Sequence, residues 1–93
     1  MGHPDKVADR IADAVLDRVV SADPLARVAC EVLVSGHRVI LAGEISASPH
    51  PARGDLRRLV RRTIAAAGYE SWDDGFDPAR ARVRLYLRRQ SPD

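Results

Sequence analysis

The sequence predicts an α+β fold: a small α-β-β-α-β domain with two helices packed on one face of a mainly antiparallel sheet. Three observations predict it. Apolar residues recur at helical spacing in two separate stretches. Three other stretches are short, rich in β-branched residues and bounded by turn formers. The 93 residues leave room for one domain, 1–93, since domains typically run to ~100–150 residues.

The elements follow in order. Residues 4–21 read as a helix, with Val7, Ile11, Ala14, Val15 and Val19 on one face and Asp9, Arg10, Asp13, Asp17 and Arg18 on the other. Pro4 suits the first turn, where a missing N–H costs nothing, and Asp5 complements the positive end of the helix dipole. Asp23-Pro24 ends the segment. Residues 27–34 and 38–46 read as strands of a hairpin. With a two-residue loop at Ser35-Gly36, Glu31 would oppose Ile40 and Arg27 would oppose Glu44. Both glutamates would then share a sheet face, whereas a three-residue loop would separate them. Residues 47–54 form a loop, and Asp55 is placed to cap a second helix running to about Ala67. Leu56, Leu59, Val60, Ile64 and Ala67 make its apolar face, with Arg57, Arg58, Arg61 and Arg62 turned away; Gly68 ends it. Residues 69–80 read as irregular. Residues 81–88 alternate, with Val83, Leu85 and Leu87 inward and Arg82, Arg84, Tyr86 and Arg88 outward, as in a half-buried strand.

Composition narrows the function classes. Hydrophobic residues make up 45% and charged residues 30%, which fits a globular chain rather than a disordered one. No stretch approaches the ~18–20 uninterrupted apolar residues of a spanning helix, and no apolar run follows Met1, so neither a membrane span nor a secretory leader is expected. A cytoplasmic setting fits the single cysteine, Cys30, which excludes an intrachain disulfide and a multi-cysteine zinc site. The net charge of +2 conceals an asymmetry. Residues 1–50 carry five basic side chains against seven acidic ones, and residues 51–93 carry ten arginines against six acids. Solvated faces explain that bias more simply than nucleic-acid binding does. The four aromatics, Tyr69, Trp72, Phe76 and Tyr86, do not interleave with a basic run as a stacking platform would.

Three features could carry chemistry. Gly2-His3-Pro4-Asp5-Lys6 places an imidazole, a carboxylate and an ammonium at a helix start, where free N–H groups favour an anion and a carboxylate could hold Mg²⁺ on a bound phosphate. Glu31 stands in an apolar strand, where a charge must be paired, face solvent or meet a cation. Glu44 follows Ala42-Gly43 in the second strand. On spacing alone, an outward sheet face with a routine Arg27–Glu44 pair accounts for both glutamates. His37 and His50 fall in turn or loop positions, without metal-ligand spacing.

Taken together, these blocks resemble a known family. Residues 2–17 (GHPDKVADRIADAVLD) are similar to the start of the S-adenosylmethionine synthetases. So are Asp23-Pro24, the block from Ala26 to Glu31, Gly43-Glu44-Ile45, Gly68-Tyr69, Gly75-Phe76-Asp77 and Gln90-Ser91-Pro92-Asp93, in the family's order. The resemblance covers essentially the whole chain and corresponds to the family's amino-terminal domain.

That resemblance implies a methionine adenosyltransferase, which makes S-adenosylmethionine from ATP and methionine and releases phosphate and diphosphate. It implies Mg²⁺ and K⁺ as cofactors and active sites between paired subunits, hence a homo-oligomer or association with other synthetase segments. By motif position, His3 resembles the catalytic histidine on the ATP triphosphate, Asp5 a Mg²⁺ ligand, Glu31 the K⁺-site glutamate, and Glu44 and Gln90 the methionine contacts. The sequence also departs from the family. Ala42 replaces a common glycine, the 47–54 loop is longer, and Arg82, Arg84 and Arg88 occupy a strand that is apolar or small in the family. The family's downstream lysines, aspartates and glycine-rich loop are not among these residues. The 93-residue chain is therefore expected to be inactive alone. The alternative is a non-catalytic interaction module that binds a synthetase subunit or another protein through its sheet. Nucleic-acid binding by the Arg57–Arg62 helix is the weakest reading.

Overall fold

The computed structural model describes residues 3–67 and 80–89, with side chains from Lys6 onward. Helix α1 spans His3–Ala22, strand β1 Arg27–Ser35, β2 Arg38–Ser46, helix α2 Arg53–Ala67 and β3 Arg82–Arg89. The element order is the expected one, and the three strands form one sheet in the order β1-β2-β3. Of its two pairings, β1–β2 is antiparallel and β2–β3 is parallel. The parallel pair follows from the connection: α2 carries the chain back across the sheet, as strand–helix–strand crossovers do.

Both helices lie on one sheet face. Val7, Ile11, Val15 and Val19 of α1 and Leu56, Val60, Ile64 and Ala67 of α2 meet Val34, Val39, Leu41, Ile45, Val83 and Leu85 of the sheet in one core. These are the apolar stripes that the helical and alternating spacings predict. Each fully buried Val, Leu or Ile contributes about 1.5–3 kcal/mol relative to exposure. α2 begins two residues ahead of the sequence expectation. Asp55 is therefore not its cap but a residue of its first turn, paired with Arg58 three residues on at 3.0 Å.

The hairpin register also corrects the sequence reading. The turn is Gly36-His37, not Ser35-Gly36, because Ser35 pairs with Arg38. Gly36 has φ 59°, while no non-glycine residue has positive φ among the described residues. A two-residue hairpin loop with positive φ at its first central position alone wants glycine there and not at the second. Glu31 thus opposes Ala42, Ala29 opposes Glu44, and Arg27 opposes Ser46. The shift is two residues, an even number, so every side chain keeps its face.

Two further details fix the frame. Asp23 ties the end of α1 to the loop after β2: its carboxylate accepts from the Leu25 N–H at 3.0 Å and the Ser48 N–H at 2.9 Å. Gly43, at φ 140°, lies where β1 and β2 approach so closely that a Cβ would sit 1.9 Å from the Ala29 carbonyl oxygen.

Two predictions follow from this frame. Gly43→Ala meets both a strained φ and a backbone clash, and should lose roughly 3 kcal/mol in a denaturant melt. Gly36→Ala, with open space around it, meets only the left-handed φ and should lose about 1 kcal/mol. Equal losses would show that the close approach at Gly43 is not the constraint. Asp23→Ala removes two charge-assisted hydrogen bonds and should cost about 2 kcal/mol, with faster amide exchange at Ser48 and Leu25.

Candidate functional site

The helices cover one sheet face, and the alternate residues of each strand make the other. That open face carries Arg27, Ala29, Glu31 and Leu33 from β1, with Ile40, Ala42 and Glu44 from β2. β3 adds Arg82, Arg84, Tyr86 and Arg88, all exposed. The two glutamates share this face, as expected. The register makes them diagonal neighbours, a relation in which residues lie ~7–8 Å apart, within reach of one small ligand.

The expected Arg27–Glu44 pair does not form. Glu44 instead meets Arg88, its register partner on β3, with Nη2 to Oε2 at 3.5 Å. The two side chains are 81% and 42% exposed, so the pair is worth well under about 1 kcal/mol. It orients Glu44 more than it stabilises the fold, and it leaves the carboxylate able to exchange Arg88 for a ligand ammonium. Tyr86 stands beside it, opposite Ala42 and 60% exposed. Glu31 is exposed and has no ion pair among the described residues. The structure thus answers its placement in an apolar strand simply: the strand is buried on one face only.

The remaining expected residues are placed by the backbone alone. His3 and Asp5 fall in the first turn of α1, at its N-terminal end; their side chains lie outside the described part. Gln90 also lies outside the described residues. β3 runs parallel to β2, with Arg88 opposite Glu44. Among the described residues, no group of three or more His, Cys, Asp or Glu could hold a metal ion. Glu31 fits a hard cation as one oxygen donor, and the other ligands of such a site must come from elsewhere.

Cys30, one residue from Glu31, points to the opposite face and packs against the core. Its thiol pKa is raised above the ordinary value, first by burial and then by the Glu31 charge. A neutral, half-buried thiol is a packing group, not a nucleophile. Sequence reasoning missed two arginines. Arg53 and Arg61 of α2 do not simply solvate their helix; each donates to a β3-side carbonyl, of Leu85 and Ala81 respectively, at 3.2 Å. β3 is an edge strand among the described residues, so carbonyls on its open side need partners. The signal was present as arginines on a crossover helix, but only the parallel topology gives them that use.

Comparison with known proteins bears on this geometry. Residues 1–92 match the family model described as "S-adenosylmethionine synthetase, N-terminal domain". A solved structure of an S-adenosylmethionine synthetase from Campylobacter jejuni, described as unusual, superposes with a TM-score of 0.85 at 35% sequence identity. The match covers 99% of this chain and 25% of that one, so this chain spans about a quarter of that protein's length.

The state of Cys30 is testable. Alkylation by iodoacetamide near neutral pH should be slower than for a free thiol, and Glu31→Gln should speed it by removing the neighbouring charge. Alkylation as fast as that of a free cysteine would contradict the burial that sets its protonation.

Proposed function

The chain belongs to the S-adenosylmethionine synthetase family, and from that premise we propose that it is the amino-terminal part of a methionine adenosyltransferase. The observation that carries the proposal is the pairing of a match along the whole chain with the shared open face of Glu31 and Glu44. In this reading the complete enzyme joins ATP and methionine in the cytoplasm. The methionine sulfur attacks the ribose C5′, the C5′–O bond breaks, and the triphosphate leaves and is hydrolysed to phosphate and diphosphate.

The roles of this chain's residues follow from where charge develops. Negative charge grows on the departing triphosphate, so a donor aimed there lowers the barrier. His3, beside the free N–H groups at the start of α1, is suited to that task. Asp5 would hold Mg²⁺ and Glu31 K⁺; both ions, when bound, supply positive charge against the phosphates. Glu44 would accept a hydrogen bond from the methionine ammonium in place of Arg88, and Gln90 would fix the other end of the amino acid. These residues hold one side of the reaction. The phosphate-binding remainder belongs to other segments or to a paired subunit, so the 93-residue chain alone would be inactive.

A second reading rests on a separate observation. Arg82, Arg84 and Arg88 are all exposed on the open face, which favours an interaction module that binds a synthetase subunit by charge. Salt-sensitive co-purification with such a subunit, without any gain in turnover, would favour it.

The transferase reading predicts no S-adenosylmethionine from the purified chain with ATP, methionine, Mg²⁺ and K⁺. Turnover should appear once the remaining synthetase segments are supplied. In that reconstituted enzyme His3→Ala should cost about 10²–10³-fold in kcat, and Glu44→Gln should raise the methionine KM with a smaller effect on kcat. A reconstituted enzyme that makes no S-adenosylmethionine, or one indifferent to both substitutions, would refute the assignment, whereas robust turnover by the chain alone would overturn only the expectation that it is inactive by itself.

A further inference from the structure

A second group of polar side chains lies away from the open face. Between the loop after β2, the start of α2 and the C-terminal half of β3 is a cleft of about 240 Å³. Its apolar wall is formed by Leu85 and Leu87, and its polar groups are His50, Arg53 and Arg89. Among the described residues, no carboxylate lines it. Three elements therefore bring two guanidinium groups and an imidazole to one space, with no carboxylate among the described residues there to balance the arginines.

The state of each group narrows the ligand. Arg53 donates through Nη1 to the Leu85 carbonyl, which fixes the side chain and leaves other guanidinium N–H groups to donate. The Arg89 side chain is exposed and makes no hydrogen bond or ion pair with another described residue. His50 is held through Nδ1, 3.1 Å from the Pro51 carbonyl oxygen. A carbonyl only accepts, so Nδ1 carries the proton, and in that tautomer of the neutral ring Nε2 presents a lone pair. Nε2 is buried without a hydrogen-bond partner among the described residues. A buried polar atom left without a partner costs free energy comparable to a lost hydrogen bond, and calls for one.

We propose that this cleft, outside the transferase site, binds inorganic phosphate as hydrogen phosphate. Two arginines approaching from a helix and a strand match the oxygens of a tetrahedral oxyanion better than the planar edge of a carboxylate. The ion's own P–OH donates to the Nε2 lone pair, which sulfate, lacking that proton near neutrality, does not do. The volume is below the ~300 Å³ where drug-sized pockets begin, which suits a small ion. The site would fix Arg89, the residue that precedes Gln90.

The test is a calorimetric or NMR titration of the full chain in one mildly alkaline buffer, with phosphate, sulfate and acetate arms at constant ionic strength. Phosphate should bind saturably at one site, with amide shifts at His50, Arg53 and Arg89, and more tightly than sulfate or acetate. Arg89→Ala, which removes no other side-chain hydrogen bond or ion pair among the described residues, should weaken binding about tenfold, and His50→Ala should erase the preference for phosphate over sulfate. Arg58→Ala, on a surface pair elsewhere, should change nothing. Equal binding of sulfate, an unsaturable response, shifts confined to the Arg38–Arg82 end of the sheet, or an indifferent Arg89→Ala would each overturn the proposal. The measurement is of binding alone, so it stands or falls separately from the transferase assignment.

Discussion

Where β1 and β2 draw together at Gly43, the Ala29 carbonyl occupies the space that a side chain would need. That approach, with the left-handed turn at Gly36, pins the hairpin register at both ends. Everything else is hung on it. A slip of one residue would turn Val39, Leu41 and Ile45 out of the core and carry Glu44 into it. The core would lose three fully buried side chains, and a carboxylate would be desolvated without a partner. Neither is tolerable in a domain of this size, whose whole stability is a small difference between large terms. Two glycines therefore do more to specify the arrangement of the glutamates than the glutamates do themselves.

The second consequence is one-sidedness. With both helices on one face, the sheet shows a surface where Leu33 and Tyr86 are more than half exposed and where five arginines stand beside two glutamates. Arg82 even lies directly opposite Arg38, a like-charge juxtaposition that destabilises a sheet unless something compensates it. Covering these arginines with an apolar surface would cost several kcal/mol for each unpaired charge. Any subunit or segment that packs here must therefore bring acids, or leave water between.

Most of the fold could be read from spacing because its core obeys two simple periods. The 3.6-residue stripe of α1 and the two-residue alternation of β3 each name their buried residues directly. The hairpin register could not be read that way. Ser35-Gly36 and Gly36-His37 are both plausible turn pairs, and only the sign of φ at one residue separates them. Asp55 misled for a similar reason: an acid near a helix start suits the cap and the first turn alike. The parallel placement of β3 and the use of Arg53 and Arg61 on its carbonyls depend on topology, which no local pattern encodes. The candidate site divided along the same line. The sharing of a face by Glu31 and Glu44 follows from parity and survived a two-residue error in register. The partner of Glu44 depended on which strand lies beside β2, and so was missed.

Parity also separates the two functional possibilities of the Cys30-Glu31 pair. Adjacent strand residues point to opposite faces, so one step along the chain takes the thiol into the core and the carboxylate into solvent. The carboxylate still acts on the thiol, raising its pKa beyond what burial does. A packing thiol and a solvent-facing carboxylate are thus coupled by backbone geometry alone, with no contact between their side chains required.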